Sequence, residues 1–291
     1  MTSIELTDLP HVRSVKFPNL AASRFSAPRL ETVEHMTLGQ ASHKSEAHLP
    51  FLSEIGSMTI IGNYSSVRLD GLQRVNEFLS MCTIPNCDDL FEGSVLGPLN
   101  RTLPSLVAAN KLTFMGKTSN ISTPNLTTLG LDIWPISSAE FTLLDTPASL
   151  SFPKLAFLQG TFNAQGTIAS IDMFSLFNTS MEINIASSTP LNISLPIVGT
   201  TAYLGLHGAI EGVDLTNLKG VRTLDVTSSL RLDCGRLDDV FNDLVKYIND
   251  EDDWSYASYM CKSTKEKRSQ GMSTGLKAGA GVLFGVVGAV I

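Results

Sequence analysis

The chain is poor in the residues that most enzymatic and nucleic-acid chemistry relies on. Its 291 residues include only 5 histidines, 4 cysteines and 2 tryptophans, and charged side chains make up 17%. His11, His35, His43 and His48 show no metal-ligand spacing, and no cofactor motif is present. Neither cysteine pair has the two-residue gap of a zinc knuckle or a histidine close by, so a metal site is not expected. The net charge is -7 and basic residues cluster once, at Lys262, Lys265, Lys267 and Arg268; nucleic acid is therefore not an expected partner, and the cluster reads as a solvated stalk. The acidic run at positions 250–253 lacks the glycine and alternating ligands of a calcium loop and reads as a solvated helix end. A leader is missing too. Met1-Thr2-Ser3 runs straight into Ile4, Glu5 and Leu6 with neither a basic start nor a long apolar core, so the sequence as given carries no signal peptide.

What is present is a repeat. A proline, any residue, a leucine or valine and then further apolar residues recur as Pro28, Leu30, Val33, Met36, Leu38, then as Pro50, Leu52, Ile55, Met58, Ile60, and again as Pro104, Leu106, Ala109, Leu112, Phe114. Weaker copies run through Leu72, Val75, Phe78, through Pro196, Val198, Thr201, Leu204, Leu206, and through Leu218, Val221, Leu224, Val226. Equivalent leucines stand about 20 to 22 residues apart where nothing is inserted, which is the period of a solenoid coil. Eight of the 13 prolines, at 10, 18, 28, 50, 104, 124, 153 and 196, precede a leucine or valine by two positions. Proline has no amide donor and a fixed φ, so it suits the corner that enters a short strand. Pairs such as Met36 with Leu38, Met58 with Ile60 and Leu204 with Leu206 then alternate as strands with one buried face.

These patterns predict an all-β fold, a parallel β-solenoid with a C-terminal capping helix. From Ile4 to Val226 there is room for about ten coils, a rod of about 48 Å at roughly 4.8 Å per stacked strand. Two stretches interrupt the period: 72–106, which holds Cys82 and Cys87, and 126–155, which holds Trp134 and Pro135. Leu237, Val240, Phe241, Leu244, Val245 and Ile248 form one apolar helix face that closes the core, with Asp238 and Asp239 near the positive end of the helix dipole. The expected organisation is a repeat domain over 1–230 that lacks its N-terminal cap, a disulfide-clamped helical cap over 231–262, a polar stalk over 263–277 and a hydrophobic anchor signal over 278–291.

Four cysteines allow three pairings. In a solenoid, residues near in sequence are near in space, which favours Cys82 with Cys87 and Cys234 with Cys261 over other pairings, with four reduced buried thiols as the alternative. Glycosylation acceptors occur at Asn63, Asn100, Asn120, Asn125, Asn178 and Asn192, about twice the number expected by chance. The C-terminal Ala278 to Ile291 is uncharged and apolar; as a helix it reaches about 21 Å against a hydrocarbon core of about 30 Å. Such a tail behind a polar spacer has the layout of a glycosylphosphatidylinositol attachment signal, with Ser269 and Gly271 as candidate attachment residues. A transmembrane segment cut short and an ordinary buried terminal segment are the rivals. Because an anchor signal works only inside the secretory pathway, the sequence as given is expected to lack its true start.

The run Ile4-Glu-Leu-Thr-Asp-Leu-Pro-His-Val-Arg-Ser-Val-Lys-Phe-Pro-Asn-Leu, followed by Ala27-Pro-Arg-Leu-Glu-Thr-Val, resembles the fungal family of lipid-anchored cell-wall organisation proteins of the extracellular-mutant and sporulation-specific type. Their repeats are related to the receptor L domain. The resemblance extends over nearly the whole chain, including the cap between Cys234 and Cys261 and the tail after Ser273-Thr-Gly-Leu-Lys-Ala-Gly. It implies a right-handed β-solenoid at the plasma membrane or in the wall, needed for wall integrity. Leucine-rich repeats match less well, because the fixed asparagine of their internal ladder is absent.

The function expected from these signals is that of a non-catalytic, glycosylated, monomeric surface protein. It would contact cell-wall polysaccharide or wall proteins and hold to the membrane through its lipid. A receptor-like ectodomain is the alternative, and a carbohydrate-active enzyme the remoter one. An enzyme needs acids that converge on one exposed face, whereas Asp132, Asp145, Asp172, Asp214 and Asp225 fall in different coils with no evident common phase. His207-Gly208 looks like a catalytic dipeptide of pectin-cleaving solenoids, but a lone histidine beside a coil turn reads as structural.

Overall fold

A computed structural model describes residues 3–20, 22–83, 99–130, 139–179, 182–195, 200–216, 218–248 and 258–264. The chain winds as a β-solenoid of about nine turns, with one helix among the described residues, near the C-terminal end of the coils. Each coil carries three short stretches of strand that stack, parallel and in register, on those of the next coil. In the second full coil these are residues 32–33, 35–38 and 46–48: Thr32 pairs with Glu54, Met36 with Met58, Leu38 with Ile60 and Ala47 with Val67 of the coil above. The alternation read from the sequence is the alternation of the coil wall. Leu38, Ile60, Met81, Phe114, Phe141, Ala164, Ile185, Leu206 and Val226 form one inward column, all buried.

Side-chain volume is shared between neighbouring inward columns. Where Phe141 fills one column Ala139 stands in the next, and Phe162 is similarly followed by Ala164. Phe114, Phe141, Phe152 and Phe162 meet with ring centroids 5.4–5.9 Å apart. A core packed to crystal density tolerates large residues only beside small ones, so the alanines are part of the same packing decision.

The prolines have a specific mechanical place. Residues 27–30, 49–52, 69–72, 103–106, 123–126, 152–155, 173–176 and 215–218 each form a β-turn in which the fourth amide donates to the first carbonyl at 3.0–3.4 Å. Pro28, Pro50, Pro104, Pro124 and Pro153 occupy the second turn position, where a fixed φ is already correct and no amide is needed. The first and fourth residues are buried in every one of these turns. Pro10 is different: it stands in register with Glu31, whose amide donates to its carbonyl at 2.8 Å, three residues beyond the turn prolines. Pro196 lies outside the described residues.

Two expectations need correction. Phe78 is not a core residue: it is 37% exposed, while Leu79 and Met81 take the inward positions. The cause is a one-residue bulge, because Val75 and Phe78 pair with Ile55 and Ser57 and so enclose two residues opposite the single Gly56. At the cap, the helix Cys234–Ile248 has no acidic residue in its first turn, so Asp238 and Asp239 sit too far along it to meet its positive end. Asp233 is the capping residue, its Oδ1 accepting from the Arg236 amide at 3.4 Å. After the helix, Ser258–Ser263 returns to add a rung on Gly220–Ser228.

The Cys234–Cys261 disulfide joins the start of the helix to that last rung across 5.8 Å between Cα atoms. Leu237 and Phe241 are buried under it, and the Phe241 ring stacks on Tyr259 at 4.9 Å. Burial, with Asp238 bonded alongside, raises the Tyr259 phenol above its ordinary range. Cys82 is buried and is not a free thiol; Cys87 lies outside the described residues.

Candidate functional site

A coil bends between its first and second strand stretches through a linking residue, and these linkers shape a groove at the N-terminal end of the rod. In successive coils they are Arg13, Glu34, Gly56 and the pair Asn76–Glu77. Gly56 must be glycine, since a Cβ there would lie 2.4 Å from the Glu34 carbonyl oxygen. Its missing side chain opens a notch between Glu34 and the Asn76–Glu77 bulge. The groove has a volume of about 570 Å³ and is lined by His11, Arg13, Thr32, Glu34, His35, Glu54, Gly56, Asn76 and Glu77, among others.

Its polar groups couple from coil to coil. Arg13 Nε donates to Glu34 Oε2 at 3.1 Å, and Asn76 Nδ2 donates to Glu54 Oε1 at 2.7 Å. His11 Nδ1 shares a hydrogen bond with Thr32 Oγ1 and His35 Nδ1 one with Ser57 Oγ, both at 2.8 Å, while His35 Nδ1 also stands 4.0 Å from Glu77 Oε2. The ion pair Arg13–Glu34 is largely exposed, so it orients the groove wall and adds little stability. Carboxylate, amide and imidazole groups spread over coils that rise about 4.8 Å each suit a polar chain rich in hydroxyls better than a compact apolar ligand.

Sequence reasoning missed this site. It found no converging acids, yet Glu34, Glu54 and Glu77 come together in the groove. They occupy different coil positions, Glu34 and Glu77 in linkers and Glu54 at the start of a strand stretch, so no single repeat position marks them in the sequence. Among those aspartates, Asp172 and Asp214 do share a phase: each ends a strand stretch just before a turn and accepts from the amide two residues on, Phe174 at 3.4 Å and Thr216 at 3.2 Å. That is corner chemistry. Asp145 pairs with Lys117 Nζ at 2.9 Å, Asp225 belongs to the strand Gly220–Ser228, and Asp132 lies outside the described residues. Gly208, after His207, has a φ of 89° and turns the corner that receives the Ser229 amide at 2.7 Å. Among the described residues no three His, Cys, Asp or Glu are grouped to hold a metal.

Three of the six glycan acceptors share one face. Asn100 and Asn120 are register partners in the third strand stretch, each three residues before its turn, and Asn192 holds the same place in its own coil. Alternation then sends the middle residue of each acceptor triplet inward, as Arg101, Ile121 and Ile193, all buried. Asn125 is exposed at the third position of a turn, where its Nδ2 donates to the Pro104 carbonyl at 2.7 Å and its Oδ1 accepts from Lys154 at 2.8 Å. Asn192 is exposed and Asn63 and Asn120 are half-buried; the side chains of Asn100 and Asn178 lie outside the described part. So do Ser269, Gly271 and the whole apolar tail. Among the described residues no helix is long and apolar enough to cross a membrane.

Two further buried polar groups have no chemistry assigned by the sequence. The Tyr64 hydroxyl and Nε and Nη1 of Arg101 are buried with no hydrogen-bond partner among the described residues. Burial pushes the Arg101 guanidinium down to about 9 and raises the Tyr64 phenol above its ordinary range.

Compared with protein-family models, curated proteins and solved structures, the chain matches none of them.

Proposed function

We propose that this chain is a non-catalytic, glycosylated cell-surface protein that helps to organise a fungal cell wall, held at the plasma membrane by a glycosylphosphatidylinositol lipid. The observation that carries the reading is the division of labour within each coil: inward columns are core, turns are corners, and the outward column of the third face repeats the glycan acceptors of Asn100, Asn120 and Asn192. A rod of this kind displays sugars along one side and leaves its other faces for contact. The groove around Gly56 gives wall polysaccharide a place to lie, with Glu34, Glu54, Glu77 and Asn76 as hydroxyl partners. Its carboxylates already bond to Arg13 and Asn76 or face His35, and they stand in the open, which favours binding over acid catalysis.

A glycan array probed with the full chain tests the contact. Wall polysaccharides are expected to bind, and the double substitution Glu54→Gln with Glu77→Gln is expected to weaken that binding about tenfold, the loss of one to two charge-assisted hydrogen bonds. Binding only to wall proteins, with no glycan retained, would turn the reading towards a protein-binding ectodomain.

A further inference from the structure

Three phenylalanines stand out of the rod in the seventh and eighth coils. Phe157 is 47% exposed, Phe174 64% and Phe177 55%. Their backbones lie on adjacent rungs: the Phe177 amide donates to the carbonyl of Ala156, beside Phe157, at 2.9 Å, and Phe174 begins the exposed part of the turn that ends just before Phe177. Together they expose on the order of 300 Å² of aromatic surface, a large patch for one small region. Exposed phenyl rings cost solubility unless something covers them.

The same place holds a glycan acceptor, Asn178-Thr179-Ser180. Residue 178 directly follows Phe177 and is the register partner of Phe157, so its backbone lies one rung from one ring and one residue from another. Thr179 is buried and pairs with the inward Leu158, which places position 178 on the outward column that Phe157 and Thr128 share.

We propose, on the basis of the glycosylated-surface reading above, that the N-glycan of Asn178 covers the Phe157–Phe174–Phe177 patch. The occupant is the first pair of N-acetylglucosamine rings, whose C–H faces and acetyl methyls pack on the phenyl rings while their hydroxyls stay in water. The glycan at Asn178 is thus a structural part of the surface, whereas the register partners of Asn120 and Asn192 among the described residues are Asn100, Ser149 and Gly212, none of them aromatic.

The test uses the full chain passed through the secretory pathway of a eukaryotic host. Peptide mapping after enzymatic deglycosylation reports which asparagines carried sugar. Ser180→Ala removes only the acceptor at Asn178, and Ser194→Ala removes that at Asn192 as the control. The expected result is sugar at Asn178, a rise of roughly two-fold or more in the fluorescence of a hydrophobic dye for Ser180→Ala with partial self-association, and no change for Ser194→Ala. Adding Phe157→Ser and Phe177→Ser to Ser180→Ala returns both signals to the starting level. Sugar on the other acceptors but not on Asn178, or a Ser180→Ala protein indistinguishable from the parent, overturns the covering role alone. Sugar on none of the six overturns the glycosylated-surface reading with it.

Discussion

Arg101 is the residue at which this chain departs furthest from its own rule. Its register partner Ile121 and the next in that column, Leu150, are apolar and buried, whereas Arg101 brings a guanidinium to the same inward position. A buried charge whose Nε and Nη1 find no partner among the described residues costs free energy that a well-packed aliphatic side chain does not. Arg101→Leu, which keeps the glycan acceptor intact, is expected to raise stability by about 1–3 kcal/mol in urea unfolding at pH 7. The pH dependence has a definite sign. Because burial lowers the folded value to about 9, the folded state binds fewer protons than the unfolded chain, so the penalty is full below about 9 and is relieved as pH rises above it. The stability gap between Arg101→Leu and the parent should therefore narrow from pH 9 upward; a constant gap through pH 11 contradicts the assignment. Tyr64 acts oppositely in both proteins, since its raised phenol costs stability once the unfolded chain begins to ionise, and it cancels in the difference.

At the scale of the element, the turn explains why the repeat was readable and why some copies looked degraded. Among the described residues, five of the eight turns carry proline at their second position, while Asp70, Phe174 and Thr216 stand there in the others. Asp70→Pro should stabilise the protein by about 0.5–1 kcal/mol, because it restricts the unfolded chain at a site already shaped for proline. Phe174→Pro should not, since the Phe174 amide donates to Asp172 Oδ1. Thermal unfolding of the two variants separates these outcomes. At the other corner, Gly166 and Gly208 have φ of 107° and 89°, and a Cβ at either would lie 1.9 Å or 2.1 Å from a backbone oxygen of the coil below. Gly208→Ala is expected to cost about 2–4 kcal/mol, and a variant of parental melting temperature would show the corner to be looser than described. Leu30, Leu52 and Leu106 could be placed in the core from spacing alone, because the turn fixes their phase. Phe78 could not, because a single extra residue in a bulge reverses which side chain faces inward and leaves no mark on composition. The groove was hidden for a related reason: its members occupy outward columns, where the fold imposes no periodic chemistry that a sequence would display.

At the scale of the whole molecule, the rod is held by contacts between coils and closed at one end by the helix and its disulfide. Reducing or substituting Cys261 is expected to lower stability by about 2–4 kcal/mol, for it releases a loop of 27 residues and frees the final rung. Hydrogen exchange should then show Ser258–Ser263 and the helix opening before the coils, as the end unit of a linear array does; simultaneous opening of every coil would argue against that order. Coil period, core columns, capping helix and the Cys234–Cys261 pairing were legible because each follows from stacking one unit on the next. The aromatic patch of Phe157, Phe174 and Phe177 was not, since phenylalanine in a repeat ordinarily reads as core. The proposal of a lipid-held wall glycoprotein has its most direct test on intact cells that express the native gene. Phosphatidylinositol-specific phospholipase C should release the protein, and N-glycosidase should then shift the released band down by several glycans. A protein that stays with the membrane after lipase, or one whose mobility ignores the glycosidase, contradicts it.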